Sequence, residues 1–259
     1  MPSTAGSVSL YRVDFGSEIG EVPRLQTCFY DTATPTATAR IADARALVAR
    51  AQTLWNLPGP AREEANARAA DAIAVAREVV ALDAGFRATL AQWLVFPAGT
   101  YLMASGHHDD AIARMQEALG LYDRLIAEQP GSDDLRYRKA WTLVNLARAL
   151  WGKPDHTRGA QRAVEATDLL RRLATENPGR FRGGLGDWLM YPTIPYLRQS
   201  GRTNQALARA REAVDIFTAL NATDPATHGP KPAAAKKLVA DIQAEMPSGD
   251  VQSDDVRPG

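Results

Sequence analysis

One cysteine, Cys28, stands in the whole 259-residue chain. A lone thiol excludes an internal disulfide and any cysteine-built metal cluster, and its simplest setting is a reducing cytoplasm. Net charge is missing as well. Thirty Lys and Arg cancel thirty Asp and Glu, which leaves no electrostatic footprint for nucleic acid or an anionic membrane surface. No apolar run approaches the ~20 residues that span a bilayer. The start, Met1-Pro2-Ser3-Thr4-Ala5-Gly6, lacks the basic and apolar regions of a secretory signal. The expectation is therefore a cytoplasmic chain. Catalytic signatures are also absent: there is no glycine-rich phosphate loop, nucleophile elbow or His-Glu-x-x-His. Gly183-Gly184-x-Gly186 opens a helical stretch with no strand before it, so it is no dinucleotide fingerprint.

What is present is a stretch that occurs twice. Phe86 to Pro130 and Phe181 to Pro225 superpose at a constant offset of 95 without a gap. Phe86-Arg87 falls on Phe181-Arg182, Leu90 on Leu185, and Trp93-Leu94 on Trp188-Leu189. Phe96-Pro97 matches Tyr191-Pro192, Tyr101-Leu102 matches Tyr196-Leu197, and Gly106 matches Gly201. Scattered identities at one offset indicate an internal duplication.

From Thr38 onward the pattern is helical. Segments end at Ala84, Pro130, Pro178 and Pro225 with spacings of 46, 48 and 47. Proline just past a helix end stops it, because it cannot extend the hydrogen-bond ladder. Each period holds two helices split near Pro58, Gly106, Pro154 or Gly201. Small residues seven apart mark each second helix: Ala65/Ala72, Ala111/Ala118, Gly159/Ala166 and Ala206/Ala213. Two turns apart on one face, they allow a neighbouring helix to approach closely.

Gly106-x4-Ala111-x6-Ala118 and Gly201-x4-Ala206-x6-Ala213 resemble the second half of the tetratricopeptide repeat (TPR). Leu143-Val144-Asn145-Leu146-Ala147-x-x-Leu150, with a long second helix and Asn177-Pro178 after it, is similar to the long-period variant of many actinobacterial proteins. The period exceeds the usual 34 residues and the first-helix Trp-Leu-Gly-Tyr pattern is mostly missing, so a HEAT-like hairpin array stays open. The resemblance implies an all-α fold: a right-handed α-solenoid of about four helix-turn-helix hairpins (38–85, 86–131, 132–179, 180–226). Its concave face would bind a peptide or protein. Residues 1–37 read as an extended arm and linker, with strand formers at Val8–Phe15. Residues 227–259 read as a capping helix, Pro232 to Met246, and a polar tail.

Candidate chemistry is sparse. His107-His108-Asp109-Asp110 looks like a metal cluster, but its counterpart Arg202-Thr203-Asn204-Gln205 carries no such ligands. Asp109 and Asn204 are therefore expected as helix N-caps. His156 lies in an equivalent turn and His228 in a tail. Asp187 beside Trp188 would be an acid near aromatics, but its counterpart is Gln92. Pro97 and Pro192 fall inside first helices and predict a bend in both copies. No catalytic residue, metal ligand or cofactor site follows.

A partner groove is the positive expectation. Arg138, Trp141, Asn145 and Arg148 recur at helical steps opposite Leu143 and Ala147. Phe96 and Tyr191 fall alongside by the repeat. Aromatics mixed with arginine are typical of binding hot spots, although packing between hairpins is an equal account of the aromatics. The expected role is a protein- or peptide-binding scaffold, with no nucleic acid or membrane partner and with a homo-oligomer left open. Two alternatives are an enzyme or small-molecule binder using an aromatic cavity, and a ligand-sensing regulatory module.

Overall fold

The computed structural model describes residues 35–154 and 156–246. The greater part of the expected arm, including Cys28 and Val8–Phe15, and the tail beyond Met246 lie outside them. Every regular element among the described residues is helical. These residues divide into two units between Leu173 and Ala174.

In the first unit, α1 (Pro35–Trp55) pairs with α2 (Ala61–Leu82). Helix α1 starts at Pro35 rather than Thr38, because the fixed φ of proline suits the first helical position. Ala37, Ala44 and Ala51 form its buried stripe, and Ala65, Ala69, Ala72 and Ala76 form that of α2. Side chains this small let two helices pack closely. Then come α3 (Arg87–Trp93) and α4 (Thr100–Ala104), joined by a π-type segment Leu94–Gly99 and packed on α5 (His108–Glu128). Helix α6 (Asp133–Trp151) packs on α5 in turn. Helix α7 (His156–Glu176) approaches α6 at Gly159, where an added Cβ would lie 3.0 Å from the Ala147 carbonyl oxygen.

The second unit contains α8 (Pro178–Trp188), a π-type segment Leu189–Thr193, and α9 (Ile194–Gln199). All three pack on α10 (Thr203–Thr223). After the short α11 (Pro225–His228), α12 (Lys231–Glu245) also lies on α10. A final helix was expected from Pro232 to Met246, and α12 covers that stretch to within a residue at each end.

Local geometry recurs at the 95-residue offset. Helices α4 and α9 both end in a Schellman turn. Gly106 and Gly201 sit at φ 83° and 75°, where glycine alone avoids a Cβ clash. The amides of His107 and Arg202 each donate to the carbonyl five residues back, Leu102 and Leu197, at 2.8 Å. The expected bends are full interruptions. Phe96 (φ −135°, ψ 124°) and Tyr191 (φ −151°, ψ 114°) are extended inside the helical run, and the peptide bonds to Pro97 and Pro192 are cis. Proline crowds the residue before it out of the helical region, which explains the extended position.

Candidate functional site

Helix α6 carries four of the six expected groove residues. It starts cleanly: the Ser132 side chain accepts a hydrogen bond from the Leu135 amide at 3.3 Å, and Asp133 and Asp134 occupy the first turn. Both features suit a helix N-terminus. The helix is buried on more than one side, at Leu143, Leu146 and Ala147 but also at Thr142 and Asn145.

That burial corrects two of the expected residues. Asn145 is 3% exposed, and its amide donates to the Trp141 carbonyl of its own helix at 2.9 Å. Thr142, on the same side, is buried and donates from its hydroxyl to the Arg138 carbonyl at 2.8 Å. These short polar side chains satisfy themselves on the backbone rather than facing a partner. Phe96 is also core, at 8% exposure. Its ring meets Tyr101 edge-on at 5.6 Å, and Tyr101 stacks on Trp55 at 4.0 Å with Arg62 above that indole. The backbone at Phe96 is extended rather than helical, so the helical direction of side chains breaks there. A uniform helical wheel misses this break.

Arg138, Trp141 and Arg148 remain half-buried. Trp141 packs against the larger core cluster of the first unit. Arg138 donates to Gln92 Oε1 at 2.7 Å and hydrogen-bonds the phenol of Tyr122. Burial pushes the Tyr122 phenol up to about 12, and the Arg138 charge and hydrogen bond pull the other way. Arg138 thus ties α6 to α3 and α5, a role that residue spacing does not reveal. Tyr191 belongs to the second unit and is 45% exposed. The same extended backbone therefore accompanies an inward Phe96 and an outward Tyr191.

The second unit has a counterpart to the Arg138 tie. Asp187, at the position of Gln92, accepts from Lys231 Nζ at 2.7 Å, and that ammonium lies 5.2 Å from the centre of the Phe217 ring. Phe217 stands at the position of Tyr122. Asp187 is therefore one half of an ion pair holding α12. In both units a polar side chain of the first helix and the ring of the second helix grip a cation of the helix that follows.

The histidine turns also depart from expectation. Helix α5 starts at His108 with His107 at the cap position and no side-chain cap, and α10 starts at Thr203 after Arg202 in the same way. Asp109 and Asn204 are inside the helices, because the Schellman turn already sets where each begins. Asp109 instead accepts from Lys153 Nζ at 2.7 Å. The His108 ring fills the space where a Cβ on Gly152 would sit, and His156 stacks on Trp151 at 4.2 Å. His228 is not in a tail but in α11, with its ring 6.4 Å from Phe217. Among the described residues no three His, Cys, Asp or Glu side chains converge as metal ligands would, and no helix is long and apolar enough to cross a membrane. No protein-family model matches the sequence, and no curated protein does.

Proposed function

We propose that the chain is a scaffold of TPR-like helical hairpins, a right-handed solenoid that holds a protein or peptide partner. The observation that carries this reading is the recurrence, 95 residues apart, of one hairpin design. Its parts are an interrupted first helix, a Schellman turn at a positive-φ glycine and a 21-residue second helix. A hairpin of this kind buries one face on the next, and stacking extends the array. The partner strip runs along α6, where half-buried Trp141 lies between Arg138 and Arg148. An aromatic seated on the core with arginines one and two turns away is the composition of a binding hot spot.

Arg148, half-buried and two turns from Trp141, carries the charge reversal that tests the strip. Wild type, Arg148→Glu and the exposed control Arg45→Glu on α1 are immobilised and challenged with extract of the native host. Bound proteins are then quantified by mass spectrometry. The expected result is a defined set retained by wild type and the control and lost by Arg148→Glu, with equal helix content in all three. Identical sets on all three columns would remove the strip from the reading.

A further inference from the structure

Helix α12 is built for the groove it lies in rather than for its own stability. Its cap residue, Pro230, makes no side-chain cap; its first turn holds no acid and its last turn no base. Instead Lys231 stands at the positive end of the helix dipole and Glu245 at the negative end, each the wrong sign for that position. Only Pro232 in the first turn favours a helix start. Both misplaced charges are answered by the groove. Lys231 Nζ meets Asp187 Oδ1 of α8 at 2.7 Å and lies over Phe217 of α10. Glu245 meets Arg198 of α9, with Nε donating to Oε2 at 3.2 Å. Between the two ends only Ala235 and Ile242 are fully buried, and Leu238 is half-buried. Helix α6, which packs on α5 as α12 packs on α10, buries eleven side chains.

We propose that α8, α9 and α10 form a directional helix-docking groove that α12 fills as a displaceable stand-in for a partner helix. The chemistry of the partner is read from its occupant. It is an amphipathic helix of about four turns, with a basic residue at i, small or aliphatic residues at i+4, i+7 and i+11, and an acid at i+14. That is the anchor spacing of helix-in-groove recognition, and ~21 Å separates its two charged ends. Asp187 and Arg198 fix the direction, since a reversed helix sets like charges together. A stand-in with few buried side chains and a short tether competes at an effective concentration of about millimolar, which masks the groove until a better helix arrives. This site is separate from the α6 strip, and failure of one leaves the other standing.

The test uses the full chain and a fluorescent peptide of residues 230–246, read by anisotropy. Ile242→Asp, which ejects α12 by burying a charge, is expected to bind the peptide at least tenfold more tightly than wild type does. A peptide with Lys231 and Glu245 interchanged is expected to bind at least tenfold more weakly than the native peptide. Hydrogen exchange checks that α8 and α10 stay protected in the variant. If they do not, Lys231→Glu with Glu245→Arg replaces it, because it repels both ends of α12 without touching the core. The same gain is expected there. No gain in the folded variant, or equal binding of the interchanged peptide, overturns the proposal. A wild-type dimer with α12 exchanged between copies and no peptide uptake by either variant assigns the groove to a second copy and overturns it as well.

Discussion

Tyr122 is the residue on which the α5–α6 contact can be read by titration. Its phenol is buried, and its folded-state value of about 12 lies above the ~10 of an exposed tyrosine. For an acid raised on folding, the native state holds its proton more firmly. The contribution is therefore fully present below pH ~10 and is lost as pH rises through about 12. Two units correspond to at most ~3 kcal/mol. Urea denaturation at pH 9 and pH 11.5 should show that wild type loses more stability than Tyr122→Phe across that interval, by about 1–2 kcal/mol. Equal losses would mean that the phenol is solvated. The identity of Tyr122 is plain in the sequence, but its partners are not. Gln92 and Arg138 lie 30 residues before it and 16 after it, and no local pattern joins them.

At the scale of the element, caps separate true helix starts from apparent ones. The Ser132 side chain accepts from the Leu135 amide, so Ser132→Ala should cost about 1 kcal/mol by thermal or urea denaturation. Asp109 matches the cap consensus equally well by sequence but sits inside α5, with its side chain 80% exposed in a pair with Lys153. Asp109→Ala should therefore change stability by no more than about 0.5 kcal/mol. A loss of about 1 kcal/mol there, with none at Ser132, would reverse the assignment. Helix spans were legible because alanine stripes, glycine turns and terminal prolines are local signals. Groove residues were less so. A helical wheel assumes one dry face and one wet face, and α6 is dry at Thr142 and Asn145 as well as at Leu143. Neither did the wheel register the extended residue before each proline, Phe96 buried in one case and Tyr191 exposed in the other.

For the whole molecule, one functional claim is central: a helical-hairpin scaffold meets its partner along α6. The helical pairing can be read from residue spacing alone, whereas a partner cannot, since function lies in the side chains a fold presents rather than in the fold itself. Site-specific photo-cross-linking in the native host addresses the claim with the partner still unidentified. A photoreactive amino acid is placed singly at position 148, two turns from Trp141 on α6, or at position 45 on α1, and the cells are irradiated. A scaffold that binds along α6 gives a discrete covalent adduct to another protein from position 148 and none from position 45. No adduct from position 148, or the same adducts from both positions, would contradict the claim.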